Sequence, residues 1–157
     1  KAAQSLNSGN FDNPALRTDV VAGAASKVSA VPGVRASLLA FQRSFVAAPP
    51  EGKKGAVLDG RDIGTVVCPA AAAKLFVTAS VEVRTERRLK ELRERGEEAI
   101  HARVLRDMKE RDARDSGRDA SPLVPADDAL VLDTSDLNAD AVFATALDYI
   151  QKQTRSG

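Results

Sequence analysis

Ala56-Val57-Leu58-Asp59-Gly60-Arg61-Asp62-Ile63-Gly64 is the stretch on which the fold turns. Its first three residues form a short apolar run between a polar, glycine-bearing loop, Glu51-Gly52-Lys53-Lys54-Gly55, and a cluster of turn residues, the pattern of a strand buried on both faces. Two more runs of this kind lie downstream, Leu75-Phe76-Val77 and Leu130-Val131-Leu132. Between them the pattern predicts two charged helices, one over 81–95 with Ser80 as cap and Gly96 as stop, the other over about 97–115. Asn138 is placed to cap a last helix whose apolar face is Val142, Ala146, Leu147 and Ile150. Strands alternating with helices predict an α/β fold with a parallel sheet covered on both sides.

Upstream, the chain reads as helix alone. The polar residues 1–10 open no recognisable element, and Asn13-Pro14 has the form of a cap followed by proline at the first helical position. Val20, Val21, Ala24, Ala25, Val28 and Val31 then recur at helical spacing and predict a helix over about 18–31. Pro32 punctuates it, and Val34, Leu38, Leu39 and Phe45 trace a second helix that ends before Pro49-Pro50. No internal repeat or low-complexity tract is present.

Composition excludes several function classes. A chain of 157 residues, 43% hydrophobic and 29% charged, has the means to bury a core. Its 23 Lys and Arg nearly balance 22 Asp and Glu, so no overall field favours nucleic acid or an anionic membrane, and any anion binding is local. The absence of Trp and the 4% aromatic content argue against a base-stacking surface. One cysteine, Cys68, makes no internal disulfide, and one thiol beside one histidine makes no metal-ligand cluster. No stretch approaches the apolar length of a membrane span and no signal-peptide pattern opens the chain. The expectation is a cytoplasmic monomer with no nucleic-acid or membrane partner and no side chain serving as a metal ligand.

Ligands of parallel α/β sheets bind beyond the carboxyl ends of the strands, which directs attention to the residues after each apolar run. After the first, Arg61 between Asp59 and Asp62 supplies a planar fork for an anion beside carboxylate acceptors; an ordinary loop with a local ion pair uses the same residues. Further on, Arg111, Arg114, Asp115 and Arg118 are spaced to share one helical face. That row suits polyphosphate, yet residues 81–118 carry a net charge of only +2, which a solvated face also explains. Ser116-Gly117 weakens the helix there, and the loop over 119–125, with two prolines, predicts a mobile flap. His101 is assigned to structure without a partner, Cys68 to a small buried position, and Tyr149 to packing at the core edge.

Taken together, Asp59-Gly60-Arg61-Asp62-Ile63-Gly64-Thr65-Val66-Val67-Cys68-Pro69 and Lys74-Leu75-Phe76-Val77-Thr78-Ala79-Ser80 resemble the bacterial cytidylate kinases. The likeness extends upstream to Ala24-Ala25-Ser26-Lys27-Val28-Ser29-Ala30-Val31-Pro32, Val34-Arg35 and Phe41-Gln42-Arg43, and downstream to Glu110-Arg111-Asp112, Arg114-Asp115, Arg118 and Pro122-Leu123. It implies a P-loop nucleoside monophosphate kinase-like α/β fold, a parallel sheet flanked by helices with a helical monophosphate-binding insert and a lid. Residues 1–50 correspond to the remaining part of the monophosphate-binding region, 56–157 to the remaining core, and about 97–122 to the lid. The reaction implied is phosphoryl transfer from ATP to CMP or dCMP with Mg²⁺. By the same likeness Ser26, Arg35 and Asp62 bind cytosine, Arg61, Arg111 and Arg118 serve the phosphates catalytically, Asp115 holds substrate, and Arg114 meets the ATP. The types suit the base: a carboxylate accepts from the cytosine amino group, while arginine or a hydroxyl meets N3 and O2.

The chain also departs from that family. Its opening strand, its glycine-rich phosphate loop, its Asp-Thr-Gly stretch and its Tyr-Arg pair have no counterpart here, and no G-x-x-x-x-G-K motif occurs. The resemblance implies that the missing strand lies between those at Ala56 and Lys74, so the expectation is a further segment before Lys1, without which the chain does not catalyse. Ala70 and Ser121 are smaller departures, away from the implied contacts. Three other readings stand beside this one: a kinase for UMP or AMP, a CMP-binding remnant without catalysis, and a helical RNA-binding adaptor.

Overall fold

The computed structural model describes residues 16, 18–29, 31–49, 52–117 and 123–155. The chain divides into two units, Lys1–Leu58 and Asp59–Gly157.

The first unit contains helices α1 (Asp19–Val28) and α2 (Pro32–Ala47). The Thr18 hydroxyl caps α1 by accepting from the Val21 N–H at 3.5 Å. Asn13 and Pro14, expected at this start, lie outside the described residues. Helix α1 stops short of the expected 31 because Pro32 forces Val31 out of the helical region; Val31 is extended, at φ −70° and ψ 123°, and serves as the N-cap of α2. Val34, Leu38 and Leu39 are half-buried on α2, whereas Phe45, expected on the same stripe, is exposed. The expected strand at Ala56-Val57-Leu58 is not formed: among the described residues it joins no ladder, and Val57 is 96% exposed. An apolar triplet has the composition of an inner strand, but a strand exists only where a neighbour accepts and donates its backbone bonds.

In the second unit, β1 (Leu75–Thr78) and β2 (Leu130–Asp133) pair in parallel, with Leu75 opposite Leu130 and Thr78 opposite Asp133. Among the described residues these two strands make up the sheet. Parallel neighbours need a crossover, and α3 (Val81–Glu94) and α4 (His101–Ser116) provide it, with α5 (Ala139–Arg155) following β2. The fold is therefore α/β, with helices on a small parallel sheet. Ser80 caps α3 through the Val83 N–H at 3.3 Å, and Gly96, at φ +75°, ends it in the left-handed conformation that favours glycine. The chain then runs without helix through 97–100, so α4 begins four residues after the expected start, with Ile100 extended as its N-cap.

The core sits between these elements. Thr85, Leu89 and Leu92 of α3 are buried with Leu132 of β2 and Val67; the Thr85 hydroxyl donates to the Val81 carbonyl at 2.7 Å, so its burial leaves no polar group wanting. Asn138 caps α5 through the Ala141 N–H at 2.9 Å. The half-buried stripe of α5 is Val142, Ala146, Tyr149 and Ile150; Leu147, expected there, is turned outward at the stripe's border. Tyr149 donates to the Asp128 carbonyl at 3.4 Å, tying the helix to the approach to β2. Just before β1, Lys74 is buried, and its ammonium donates to both Asp128 carboxylate oxygens at 2.7 and 2.5 Å. Among the described residues no helix is long and apolar enough to cross a membrane.

Leu89 is 1% exposed, so Leu89→Ala is expected to lower unfolding free energy by about 2–5 kcal/mol. The solvent-facing Lys90→Ala is expected to stay within about 0.5 kcal/mol; urea titration followed by far-UV circular dichroism measures both. The hydrogen bond from Lys74 holds the Asp128 carboxyl below its ordinary range. A carboxyl depressed in the folded state contributes above its unfolded value, and that contribution is lost as pH falls through its folded value. Asp128→Asn is therefore expected to be less stable than the parent at pH 7, with the gap closing below about pH 4; urea midpoints compared at pH 7 and pH 3 test this.

Candidate functional site

After Leu58 the chain makes an unusually wide turn. The Asp62 carbonyl accepts from Val66 N at 2.8 Å and Val67 N at 3.2 Å, and the Ile63 carbonyl accepts from Cys68 N at 2.7 Å. Bonds to the fifth residue mark a single π-helical turn over Ile63–Val67, a local form enriched at functional positions. Thr65 adds its hydroxyl to the same Asp62 carbonyl at 3.4 Å. The chain enters the turn closely: a Cβ on Gly60 would meet the end of the Ile63 side chain at 2.9 Å, and that side chain would have to shift. The turn is anchored by buried Val67 and seated on the Lys74 stem, whose Cδ lies 3.4 Å from where a Gly64 Cβ would stand. Arg61 and Asp62, both half-buried, are thereby held on a stiff ledge before the turn.

From the other side comes α4. Its inward stripe is Val104, Leu105, Met108, Asp112 and Asp115, and the stripe changes from apolar to acidic along the helix. Asp115 is 2% exposed and pairs through Oδ2 with Nη1 of Arg61, whose side chain is 34% exposed. A carboxylate so far from water requires a cationic partner. Arg61 thus reaches a carboxylate 54 residues away, a long-range pair that its sequence neighbourhood does not announce.

The expected face of Arg111, Arg114, Asp115 and Arg118 divides. Asp115 turns into the core, Arg111 and Arg114 are exposed, and the Arg114 Nε donates to the Glu110 carbonyl at 3.3 Å. Arg118 lies outside the described residues. The division follows from helical phase: Asp115 continues the buried stripe of Val104 and Met108, and the arginines stand on its outer flank. Ser26 belongs to α1, where its backbone alone is described, and Arg35 to the first turn of α2, half-buried, with its N–H donating to the Val31 carbonyl at 2.9 Å. In the second unit, then, the structure brings Arg61 and Asp115 into contact and places Arg111 and Arg114 on the same helix as Asp115.

Two arginines that sequence reasoning passed over organise the carboxyl ends of the strands. Arg84 donates from Nε to the Ala79 carbonyl at 3.0 Å and grips Asp112 of α4 with both terminal nitrogens, at 3.1 and 2.7 Å. Arg87 reaches Thr134, donating to its hydroxyl at 2.9 Å and its carbonyl at 2.6 Å, and that hydroxyl donates to the Thr78 carbonyl at 3.0 Å. Beside them Ser80 N donates to Ser135 Oγ at 2.9 Å, and Ser135 holds the Asp133 carboxyl below its ordinary range with its hydroxyl and N–H. The available signal was spacing: Arg84 and Arg87, three apart in the first two turns of α3, sit where side chains reach back toward the strand ends. His101, expected to have no partner, meets Glu86 of α3 at 3.2 Å in the open. Cys68 is half-buried at the end of the wide turn, less enclosed than expected.

Chemically, the second unit presents guanidiniums at strand ends with carboxylates that orient some of them, an arrangement suited to anions bearing several oxygens. The Arg61–Asp115 pair makes a direct prediction. Arg61→Ala takes a cation from the buried Asp115 carboxylate and is expected to cost about 3 kcal/mol, the low end for a broken buried pair because Arg61 itself is partly exposed. Replacing both together, Arg61→Met with Asp115→Leu, is expected to recover most of that loss, as read from urea midpoints.

A sequence model of the cytidylate kinases, described as "Cytidylate kinase", matches residues 2–152. Among curated proteins, the cytidylate kinase of Paramagnetospirillum magneticum is 64% identical over 150 residues, covering 96% of this chain and 71% of its own length. That of Rhodospirillum rubrum is 54% identical over 154 residues, covering 98% and 72%. That of Xanthobacter autotrophicus is 55% identical over 151 residues, covering 96% and 71%. On this evidence the chain belongs to the cytidylate kinase family.

Proposed function

We propose that the protein transfers the γ-phosphoryl group of ATP to a phosphate oxygen of CMP or dCMP, releasing ADP and forming CDP or dCDP. The observation that carries this reading is the meeting of the ledge at Arg61-Asp62 with α4 through Asp115, which draws together two of the segments that resemble the family's nucleotide contacts. Its fold is that of a P-loop nucleoside monophosphate kinase. Residues 1–50 form the remaining part of the monophosphate-binding region, 56–157 the remaining core, and about 97–122 the lid. The protein works in the cytoplasm as a monomer.

Phosphoryl transfer asks for alignment and for neutralisation of charge spread over the equatorial oxygens. Arg61, Arg111 and Arg118 supply that charge, Arg114 meets the ATP phosphates, and Asp115 orients Arg61 while lying toward the ribose. Asp62 accepts from the cytosine amino group, and Ser26 and Arg35 meet the ring's N3 and O2. Uracil carries an oxygen in place of the amino group, so it sets acceptor against carboxylate. Mg²⁺ accompanies ATP and withdraws charge from its phosphates when bound. Among the described residues no group of three or more His, Cys, Asp or Glu side chains could hold a metal ion. The ion would enter with ATP, whose phosphates it binds, and none of the residue roles above runs through it.

The test is ADP release coupled to NADH oxidation, run on the full-length protein with CMP, dCMP, UMP and AMP. CMP and dCMP are expected to exceed UMP and AMP by at least about 100-fold in kcat/KM, and Asp62→Asn to shrink the CMP-over-UMP preference by about tenfold or more. Equal turnover of UMP or AMP by the parent would remove the cytidine assignment. An unchanged preference in Asp62→Asn would remove Asp62 from the base site.

A further inference from the structure

Helix α4 is tied to the core at two points on one face. Asp115 takes Arg61, and three residues earlier Asp112 takes Arg84. Residues three apart are neighbours on a helix surface, so both ties act on the same stretch of α4. They come from different directions, one from the ledge before the wide turn and the other from α3.

The Arg84 tie is the more directional in its donors. Nη1 and Nη2 meet the two Asp112 oxygens in a fork-to-fork pair, and Nε is spent on the carbonyl of Ala79, the residue directly after β1. One planar group therefore fixes α4 against the carboxyl end of β1, with little rotational freedom left. An ammonium, a point charge on a flexible stem, could not reproduce three bonds in one plane. Energetically the tie is weak: Arg84 and Asp112 are 33% and 34% exposed, so water screens their attraction. A pair with strict geometry and little effect on stability serves placement more than cohesion. What it places is specific, because Arg111 adjoins Asp112 and Arg114 lies two residues on, both on the exposed flank of the same helix.

We propose that Arg84 is a positioning residue for phosphoryl transfer: acting through Asp112, it sets where α4 presents Arg111 and Arg114 to the phosphates. The proposal rests on the kinase reading above and extends it to a residue outside the nucleotide contacts.

The experiment uses the full-length protein as Arg84→Ala, Arg84→Lys, Asp112→Ala and the Arg84→Ala/Asp112→Ala double variant. Steady-state kinetics with CMP and ATP is paired with hydrogen exchange read by mass spectrometry. Arg84→Ala is expected to lose about 10- to 100-fold in kcat, with KM for CMP changed less than about threefold. Lysine is expected not to rescue, and the double variant to fall no lower than the worse single one, since both act through one contact. Amides over 109–116 are expected to exchange about tenfold faster, with α5 unchanged. A parental kcat in Arg84→Ala, multiplying losses in the double variant, or faster exchange in α5 as much as in α4 overturns the proposal, the last by making Arg84 merely structural. If the parent transfers nothing to CMP, the kinase reading is what fails, and unchanged exchange over 109–116 would still reject Arg84 as the residue that places α4.

Discussion

A carboxylate that is 2% exposed must be answered by a cation, and the answer to Asp115 decides how the second unit is put together. Arg61 can give it only if the chain after Leu58 is held stiffly beside the end of α4. The π-helical turn at Ile63–Val67, the close approach at Gly60 and the seat on Lys74 supply that stiffness. Losing Arg61 would leave the buried Asp115 carboxylate costly, so this pair ties the ledge to the helix. The same pair leaves Arg61 a third exposed and oriented by Asp115.

Around this pair the strand ends are finished by arginine rather than by apolar packing. Arg84 and Arg87 satisfy the carbonyls of Ala79 and Thr134, and Thr134 in turn bonds Thr78 across the sheet through both its hydroxyl and its N–H. Carbonyls at strand ends otherwise need water or ligand. Here they are occupied by planar groups whose positions are set by helices, which leaves a polar border of guanidiniums and carboxylates where parallel sheets bind their ligands. For phosphoryl transfer such a border is chemically apt, because placement and charge are most of what the protein contributes.

What could be read in the sequence was what depends on neighbours along the chain. Ser80, Gly96, Thr18 and Asn138 act at helix ends through residues within one turn, and Pro32 shapes Val31 through direct contact; the caps at Ser80 and Asn138 and the stop at Gly96 were legible for that reason. The strands at Leu75 and Leu130 were legible as apolar runs, and their parallel pairing followed from the helices between them. Ala56-Val57-Leu58 shows the limit of that logic, since composition proposes a strand but only a partner makes one. The ties Arg61–Asp115 and Arg84–Asp112 span 54 and 28 positions and left no local trace. For the same reason Asp115, read as one of a row with the arginines, proved to face inward while Arg111 and Arg114 face out. The late start of α4 has a simpler cause: the chain leaves Gly96 in a left-handed conformation and runs without helix to Ile100, which is extended, before α4 begins.

The claim that joins these observations is that the protein passes phosphate to a cytidine nucleotide and not to water. Phosphorus-31 NMR of the full-length protein with ATP, Mg²⁺ and CMP follows the γ-phosphoryl group directly. ATP and CMP signals are expected to give way to those of ADP and CDP with no build-up of inorganic phosphate; inorganic phosphate in place of CDP, or unchanged spectra with active-site integrity shown by CMP binding, would contradict cytidylate kinase activity.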